Sequence, residues 1–392
     1  MRANIGGQSS VREGFGYVPK ILVSGASIAG PTLAYWLGKG GFEVSVVERS
    51  SAPRAGGQAI DIRGPALAVM REMGLLDEAR AMRTHLKGMS MVDIDGKELS
   101  RTEERTISAG RLNSGDIEIL RDDLAGLLLK ASAPVAAYVY GDAIAALEED
   151  DAGVVVTFEQ RAPERFDLVI GADGLHSNTR RLVFGDEKGL TRPLGVALAI
   201  FTTPNLLDLR DWQLAFRDAT SGYVIYPARD NSELRVNLGF GLWPADDPRG
   251  DVAAQKELVA KRCAHLKGDI PRLIDAMPPA KDFYFGALAQ VRMESWSKGR
   301  VTLAGDAAYC PTPFTGQGTS LALIGAFVLA RELTRTPGDH VSAFARCEAR
   351  MRPFVRKNQD MVSLERRAPI PDDIFDEAKN ALVIDDLMDT RP

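Results

Sequence analysis

Two apolar runs near the start of the chain, Ile21-Leu22-Val23 and Val44-Ser45-Val46-Val47, flank a segment in which Leu33, Ala34 and Leu37 recur at helical spacing. The pattern predicts strand, tight turn, helix and parallel strand, with the turn at Gly25-Ala26-Ser27-Ile28-Ala29-Gly30. Pro31 falls in the first helical turn, where a missing N–H costs little, and Gly40-Gly41 ends the helix. A polar loop over 49–57 carries Arg54 and Gly56-Gly57. A short strand over 58–63 follows, then a helix with Leu67, Met70 and Leu75 on one face. Residues 86–118 mix strand-like pieces, such as 89–93, with charged and glycine breaks. The pattern tightens at 117–120, after which Asp122 and Asp123 open a helix through Leu124, Leu127 and Leu128. The apolar runs 154–158 and 168–171 are spaced for a hairpin.

Beyond residue 193 the period changes. Alternating patterns over 194–202, 212–216, 222–226 and 234–240, a helical stretch over 251–265 and a strand over 283–291 predict an antiparallel sheet with a few helices. The first kind of pattern resumes at 300–306. A helix over 320–334 is apolar nearly all round and is expected to be buried. A basic helix over 346–367 and a last helix around 374–387 end the chain. The fold class expected is α/β: a Rossmann-type nucleotide-binding domain with an inserted antiparallel-sheet substrate domain and a C-terminal helical segment. The expected division is a flexible arm at 1–19, a nucleotide domain from 20–85, 117–193 and 293–335, a substrate domain from 86–116 and 194–292, and C-terminal helices over 336–392.

Composition narrows the function classes. The 392 residues, 45% apolar, suffice for two cores. A net charge of −5 argues against a nucleic-acid partner. Cys263, Cys310 and Cys347 are isolated, which fits a reducing cytoplasm, and the four scattered histidines show no metal-ligand spacing. The longest apolar run, Leu321 to Ala330, is too short to span a bilayer, and 1–19 has no signal-peptide core.

Three stretches carry the candidate chemistry. In the first, Gly25 permits the turn, Gly30 permits close packing, and the helix start offers N–H groups to a pyrophosphate. Glu48, ending the second strand, suits ribose hydroxyls. Ser27 stands where the pattern has a glycine and narrows the phosphate approach. The second stretch is 167–180 with Asp173-Gly174, and the third is 305–318 with Gly305-Asp306 and Gly316-Gln317-Gly318. Each aspartate also suits a helix cap. Arg121 at a helix start is equally consistent with a solvated charge. Cys310 suits a buried filler. His176 suits a hydrogen-bonding role. Tyr223, Tyr226, Phe240 and Trp243 on the inserted sheet suit a core, although a pocket there needs some aromatic lining.

In this order and at these separations, the three stretches make the chain resemble, over about 20–335, the single-component flavoprotein monooxygenases of the para-hydroxybenzoate hydroxylase type. Within these it looks most like the branch of the tetracycline-inactivating monooxygenases. The resemblance implies FAD as cofactor, NADPH or NADH as transient reductant, and O2 plus a small aromatic molecule as substrates. The implied chemistry is hydroxylation through a flavin C4a-hydroperoxide. It places Gly25, Ser27, Ile28, Ala29, Gly30, Glu48 and Arg49 on the ADP half of FAD. Asp61, Arg121, Asp173, Gly305, Asp306, Pro313, Gly316, Gly318, Thr319 and Ser320 would serve the rest of the cofactor. Tyr223, Tyr226, Pro313 and Phe314 would face substrate. Tyr309, Ser320 and Gly325 depart from the family's common His, Asn and Asp. Candidate substrates are a tetracycline- or rifamycin-like antibiotic, a polyketide intermediate or a phenol. The alternatives are another flavin oxidoreductase, or a flavin- or drug-binding sequestration protein without turnover. A monomer with no membrane partner is expected.

Overall fold

The computed structural model describes residues 17–243, 246–362 and 370–388, so most of the arm expected at 1–19 lies outside the described residues. Strands Lys20–Ser24, Glu43–Glu48, Ala137–Tyr140, Leu168–Gly171 and Val301–Leu303 form a parallel sheet. Lys20–Ser24 lies between Leu168–Gly171 and Glu43–Glu48. Ser297–Lys298 adds an antiparallel edge beside Val301–Leu303. Ile21, Leu22 and Val23 are fully buried, as a strand covered on both faces requires. Helices Ala29–Lys39 and Gly318–Arg335 pack together on one face, with the Trp36 and Phe327 rings 4.9 Å apart edge to face.

The hairpin expected from 154–158 and 168–171 does not form. Gly153–Phe158 pairs with Ile144–Asp150 and with Glu164–Phe166 in a three-stranded antiparallel sheet. Leu168–Gly171, buried along its length, enters the parallel sheet instead. The short Glu164–Phe166 strand takes the partner position, leaving the more apolar run for the core.

The second large sheet has seven strands. Their order is Tyr284–Val291, Thr191–Pro204, Glu233–Gly241, Ser221–Ala228, Gln213–Arg217, Met89–Val92 and Glu98–Thr102. It is antiparallel except where Gln213–Arg217 runs parallel to Met89–Val92. Leu234, Val236, Leu238 and Phe240 alternate onto one face. There they meet Val259 and Cys263 of helix Val252–Cys263, and Ile270 and Leu273 of helix Ile270–Asp275. The other face borders a large cavity.

The basic helix occupies His340–Asp360 rather than 346–367, because the Asp339 side chain caps it from the Ser342 N–H at 3.0 Å. Residues 363–369 lie outside the described residues. The single last helix expected over 374–387 is two pieces, Asp372–Lys379 and Asp385–Met388. The first piece is strapped to the 105–116 segment by Arg105–Asp372 at 3.1 Å, Lys379–Asp116 at 2.9 Å and an Arg111–Asp376 pair.

Two departures from the family pattern prove to be one packing unit. A Cβ on Gly325 would lie 1.9 Å from the Tyr309 hydroxyl oxygen and 2.9 Å from Cζ. The bare backbone at 325 is what lets the Tyr309 ring lie against helix Gly318–Arg335.

Candidate cofactor and substrate site

A cavity of about 2820 Å³ runs between the two large sheets. Its nucleotide-side wall begins at the first turn. Gly25 has φ +106°, and a Cβ there would lie 2.4 Å from the Ala172 carbonyl oxygen. A Cβ on Gly30 would lie 1.8 Å from the Gly25 carbonyl oxygen. The two glycines therefore set the turn by close backbone approach. Ser27, Ile28 and Ala29 border the cavity at the helix start, where the first-turn N–H groups have no intrahelical acceptor. Ser27 is exposed. The Glu48 carboxylate accepts from the Ala26 N–H and the Ser50 N–H, both at 2.9 Å, so it shapes the loop while bordering the cavity. Arg49 borders the cavity from an exposed position.

Arg121 is buried, so it is not the solvated helix-start charge that its sequence position also allowed. Its guanidinium donates to the Arg54 carbonyl and, at 2.8 and 3.2 Å, to the Gly56 carbonyl, which folds the 54–58 loop against the cavity. Burial, with Arg54 nearby, lowers its pKa to about 10. Asp173 also borders the cavity, but its carboxylate is occupied. It accepts from the Thr179 N–H at 2.9 Å, the Thr179 hydroxyl at 2.8 Å and the Ser177 hydroxyl. Helix Asn178–Phe184 is capped by Ser177, which accepts from the Arg180 N–H at 2.9 Å, with Asp173 reinforcing the same turn.

The third stretch supplies the opposite wall. Gly305, at φ +62°, lets the chain turn beside Ala29, and Asp306 follows on the cavity. Burial raises the Asp306 carboxyl, with the Cys310 thiol as its polar neighbour. A Cβ on Gly318 would sit 3.9 Å from Asp306 Oδ1, so the carboxylate lies by the start of helix Gly318–Arg335. Gly316, Gly318 and Thr319 border the cavity there, and the exposed Pro313 and Phe314 form its rim.

Three sequence-derived positions do not border the cavity: Gly30, Gly305 and Ser320. The glycines act through close packing. Ser320 is fully buried, accepts from the Arg63 N–H at 2.9 Å and donates to the Asp61 carbonyl at 3.3 Å. It thus fastens strand Ala59–Ile62 to the long helix. Asp61 does border the cavity, with Oδ2 2.7 Å from Arg63.

On the sheet side, Tyr226 borders the cavity, and its hydroxyl accepts from the Ala59 N–H at 2.7 Å. Tyr223 also borders it, but alternation sends its ring into the core with Phe216, stacked at 5.3 Å. Packing therefore accounts for Tyr223, and the cavity face belongs to Gly222, Val224, Asn237, Gly239 and Gly241. A Cβ on Gly239 or Gly241 would meet nothing nearer than 3.8 Å, so these glycines leave a flat floor. Sequence reasoning missed this floor, as well as Met89, Met91, Tyr284 and the C-terminal Phe375. Their only signal was a run of glycines at alternate strand positions, which reads equally as weakness in a strand.

The residues fit FAD. The turn glycines hold the helix start close against the strand ends, two helix starts face one cavity, and its volume exceeds the 300–1,000 Å³ or so of a single small-ligand site. Among the described residues no group of three or more His, Cys, Asp or Glu could hold a metal ion, and no helix is long and apolar enough to cross a membrane.

Comparison with known proteins agrees with this geometry. Residues 19–341 match the FAD binding domain family. An uncharacterized protein of Mycobacterium tuberculosis is 46% identical over 93% of this chain and 99% of its own. A flavin-dependent monooxygenase of Legionella longbeachae is 39% identical over 87% of each chain. The crystal structure of the tetracycline destructase Tet(55) superposes with a TM-score of 0.82 at 37% identity, covering 93% of this chain and 98% of that one. The chain belongs to the FAD binding domain family and stands within it among the flavin-dependent monooxygenases.

Proposed function

We infer that this monooxygenase uses NADPH or NADH to hydroxylate an aromatic or polycyclic substrate laid on the glycine floor of the seven-stranded sheet. The observation that carries the inference is one large cavity that joins a dinucleotide turn to a sheet floor kept low by Gly222, Gly239 and Gly241. Likeness to a tetracycline destructase supports a fused-ring substrate class. Bound FAD supplies the two-electron chemistry that places one atom of O2 in the substrate and releases the other as water. The chain's residues bind, orient and exclude water. The first-turn N–H groups at 27–29 and the Glu48 loop hold the ADP half. Asp306 accepts ribityl hydroxyls, and the helix start at Gly318 favours negative charge on the ring system by about 0.3–2 kcal/mol. Arg121 fixes the 54–58 loop, and Pro313 and Phe314 cover the substrate.

NAD(P)H consumption under air, with product mass, tests the proposal. One added oxygen per substrate is expected from a panel of tetracyclines, rifamycins and phenols. A yellow protein that binds the panel without consuming NAD(P)H would instead be a sequestration protein. A narrower expectation concerns Asp306→Ala. Losing a charge-assisted bond should cost roughly 1–3 kcal/mol of FAD binding, about fivefold to 150-fold, with the fold retained. Flavin-fluorescence titration measures this, and unchanged affinity removes Asp306 from the site.

A further inference from the structure

Strand pairing sets Asp61 directly opposite Glu118, where Ala59–Ile62 meets Ile117–Leu120, so both carboxylates leave the same face. They are 6% and 7% exposed. One guanidinium serves them both: Arg63, itself 4% exposed, paired with Asp61 Oδ2 at 2.7 Å. The other charges packed around them are committed. Asp116 pairs with Lys379, Arg105 with Asp372 and Arg111 with Asp376. Arg121 is spent on carbonyls, and burial keeps the Tyr226 phenol neutral. Thr84 donates to Glu118 Oε2. Among the described residues Asp61 Oδ1 has no hydrogen-bond partner, whereas Ser108 and Thr84 both oppose the rise that burial gives the Glu118 carboxyl.

Two buried carboxylates facing one guanidinium leave one negative charge over. A proton neutralises that charge at less cost than burying it ionised. Asp61, unlike Glu118, borders the cavity. Its Oδ2 lies 3.6 Å from where a Cβ on Gly316 would stand, at the approach to helix Gly318–Arg335. We propose that Asp61 is a proton-holding residue of the cofactor site, taking up one proton from solvent when two-electron reduction of FAD brings negative charge into the cavity, and releasing it on reoxidation. The proposal rests on the FAD binding inferred above. The balance is two electrons and one proton to the flavin, plus one proton to Asp61. Burial, opposed by Arg63 and helped by Glu118 and Asp116, raises the Asp61 carboxyl to about 7. Below that pH the proton is present in both redox states. Above it, the proton arrives with reduction.

The test is the midpoint potential of the FAD-loaded protein against pH, read by spectroelectrochemistry without oxygen. Each proton accompanying a two-electron couple adds about 30 mV per pH unit, a tenfold change in the equilibrium constant. Between about pH 7 and 8.5 the wild type should show twice the slope of Asp61→Asn. Glu118→Gln should keep the steep slope but move it to lower pH, because the charge that raises Asp61 is gone. A wild-type slope of about 30 mV throughout overturns the proposal without any variant, and so does a steep slope that survives Asp61→Asn. Failure of the wild type to bind FAD at all would refute the functional proposal instead.

Discussion

Gly30→Ala should yield a colourless protein. The added Cβ lies 1.8 Å from the Gly25 carbonyl oxygen and 3.0 Å from its carbon, and neither atom can retreat. Gly25 is itself held by a 2.8 Å bond from its N–H to the Val47 carbonyl, and the Ala172 carbonyl oxygen would lie 2.4 Å from a Cβ there. The start of helix Ala29–Lys39 must therefore lift away, and its first-turn N–H groups leave the place where a pyrophosphate would meet them. Overpacking of this kind costs roughly 1–3 kcal/mol or more in stability. Flavin affinity should fall at least about a hundredfold, because the anion site is lost as a unit. Gly41→Ala is the matched control: φ is +87° but nothing lies within 4 Å of its Cβ. It should lose about 1 kcal/mol to backbone strain and keep its flavin. Absorbance near the flavin band and thermal melts of both variants decide the matter. A yellow Gly30→Ala protein would show that close approach is not needed.

Gly325→Ala should be nearly as damaging to stability, though for a reason remote from the cofactor. The new methyl meets the Tyr309 hydroxyl oxygen at 1.9 Å, between the short helix Asp306–Tyr309 and a buried helix packed against it. A loss of about 3 kcal/mol is expected in chemical denaturation. In the Tyr309→Leu background the same alanine should cost under about 1 kcal/mol, a coupling energy of roughly 2 kcal/mol. Equal costs in both backgrounds would mean the pair is not coupled.

Lys20–Ser24, Glu43–Glu48 and Val301–Leu303 of the parallel sheet were legible as short apolar runs, and the turn at 25–30 has few other uses, but the edge strand Ala137–Tyr140 went unread. The inserted sheet was legible from strict alternation between 194 and 240. Legibility failed where two partners compete for one strand. Gly153–Phe158 had a nearer and more polar neighbour in Glu164–Phe166, which periodicity does not rank against Leu168–Gly171. It also failed on direction. The alternation that marks Tyr223 and Tyr226 as strand residues does not say which face meets the core, and the odd step from 223 to 226 sends the two rings opposite ways. Ser320 lay within a cofactor motif yet serves as a fastener, since one residue of helical rotation separates it from the cavity-facing Thr319.

The place where the chain leaves and re-enters the parallel sheet has an evolutionary consequence. Leu168–Gly171 and Val301–Leu303 are hydrogen-bonded neighbours, yet the whole stretch from 172 to 300 is threaded between them. That excursion, which holds most of the substrate-side sheet, leaves the C-terminal end of one strand and returns to the N-terminal end of its parallel neighbour, an offset of about four residues or roughly 13 Å along the strands. Such an excursion can lengthen, shorten or be exchanged for another without moving the strands that cradle the dinucleotide. Recombination at 172 and 300 is thus the natural seam for grafting a relative's substrate preference onto this flavin-binding frame.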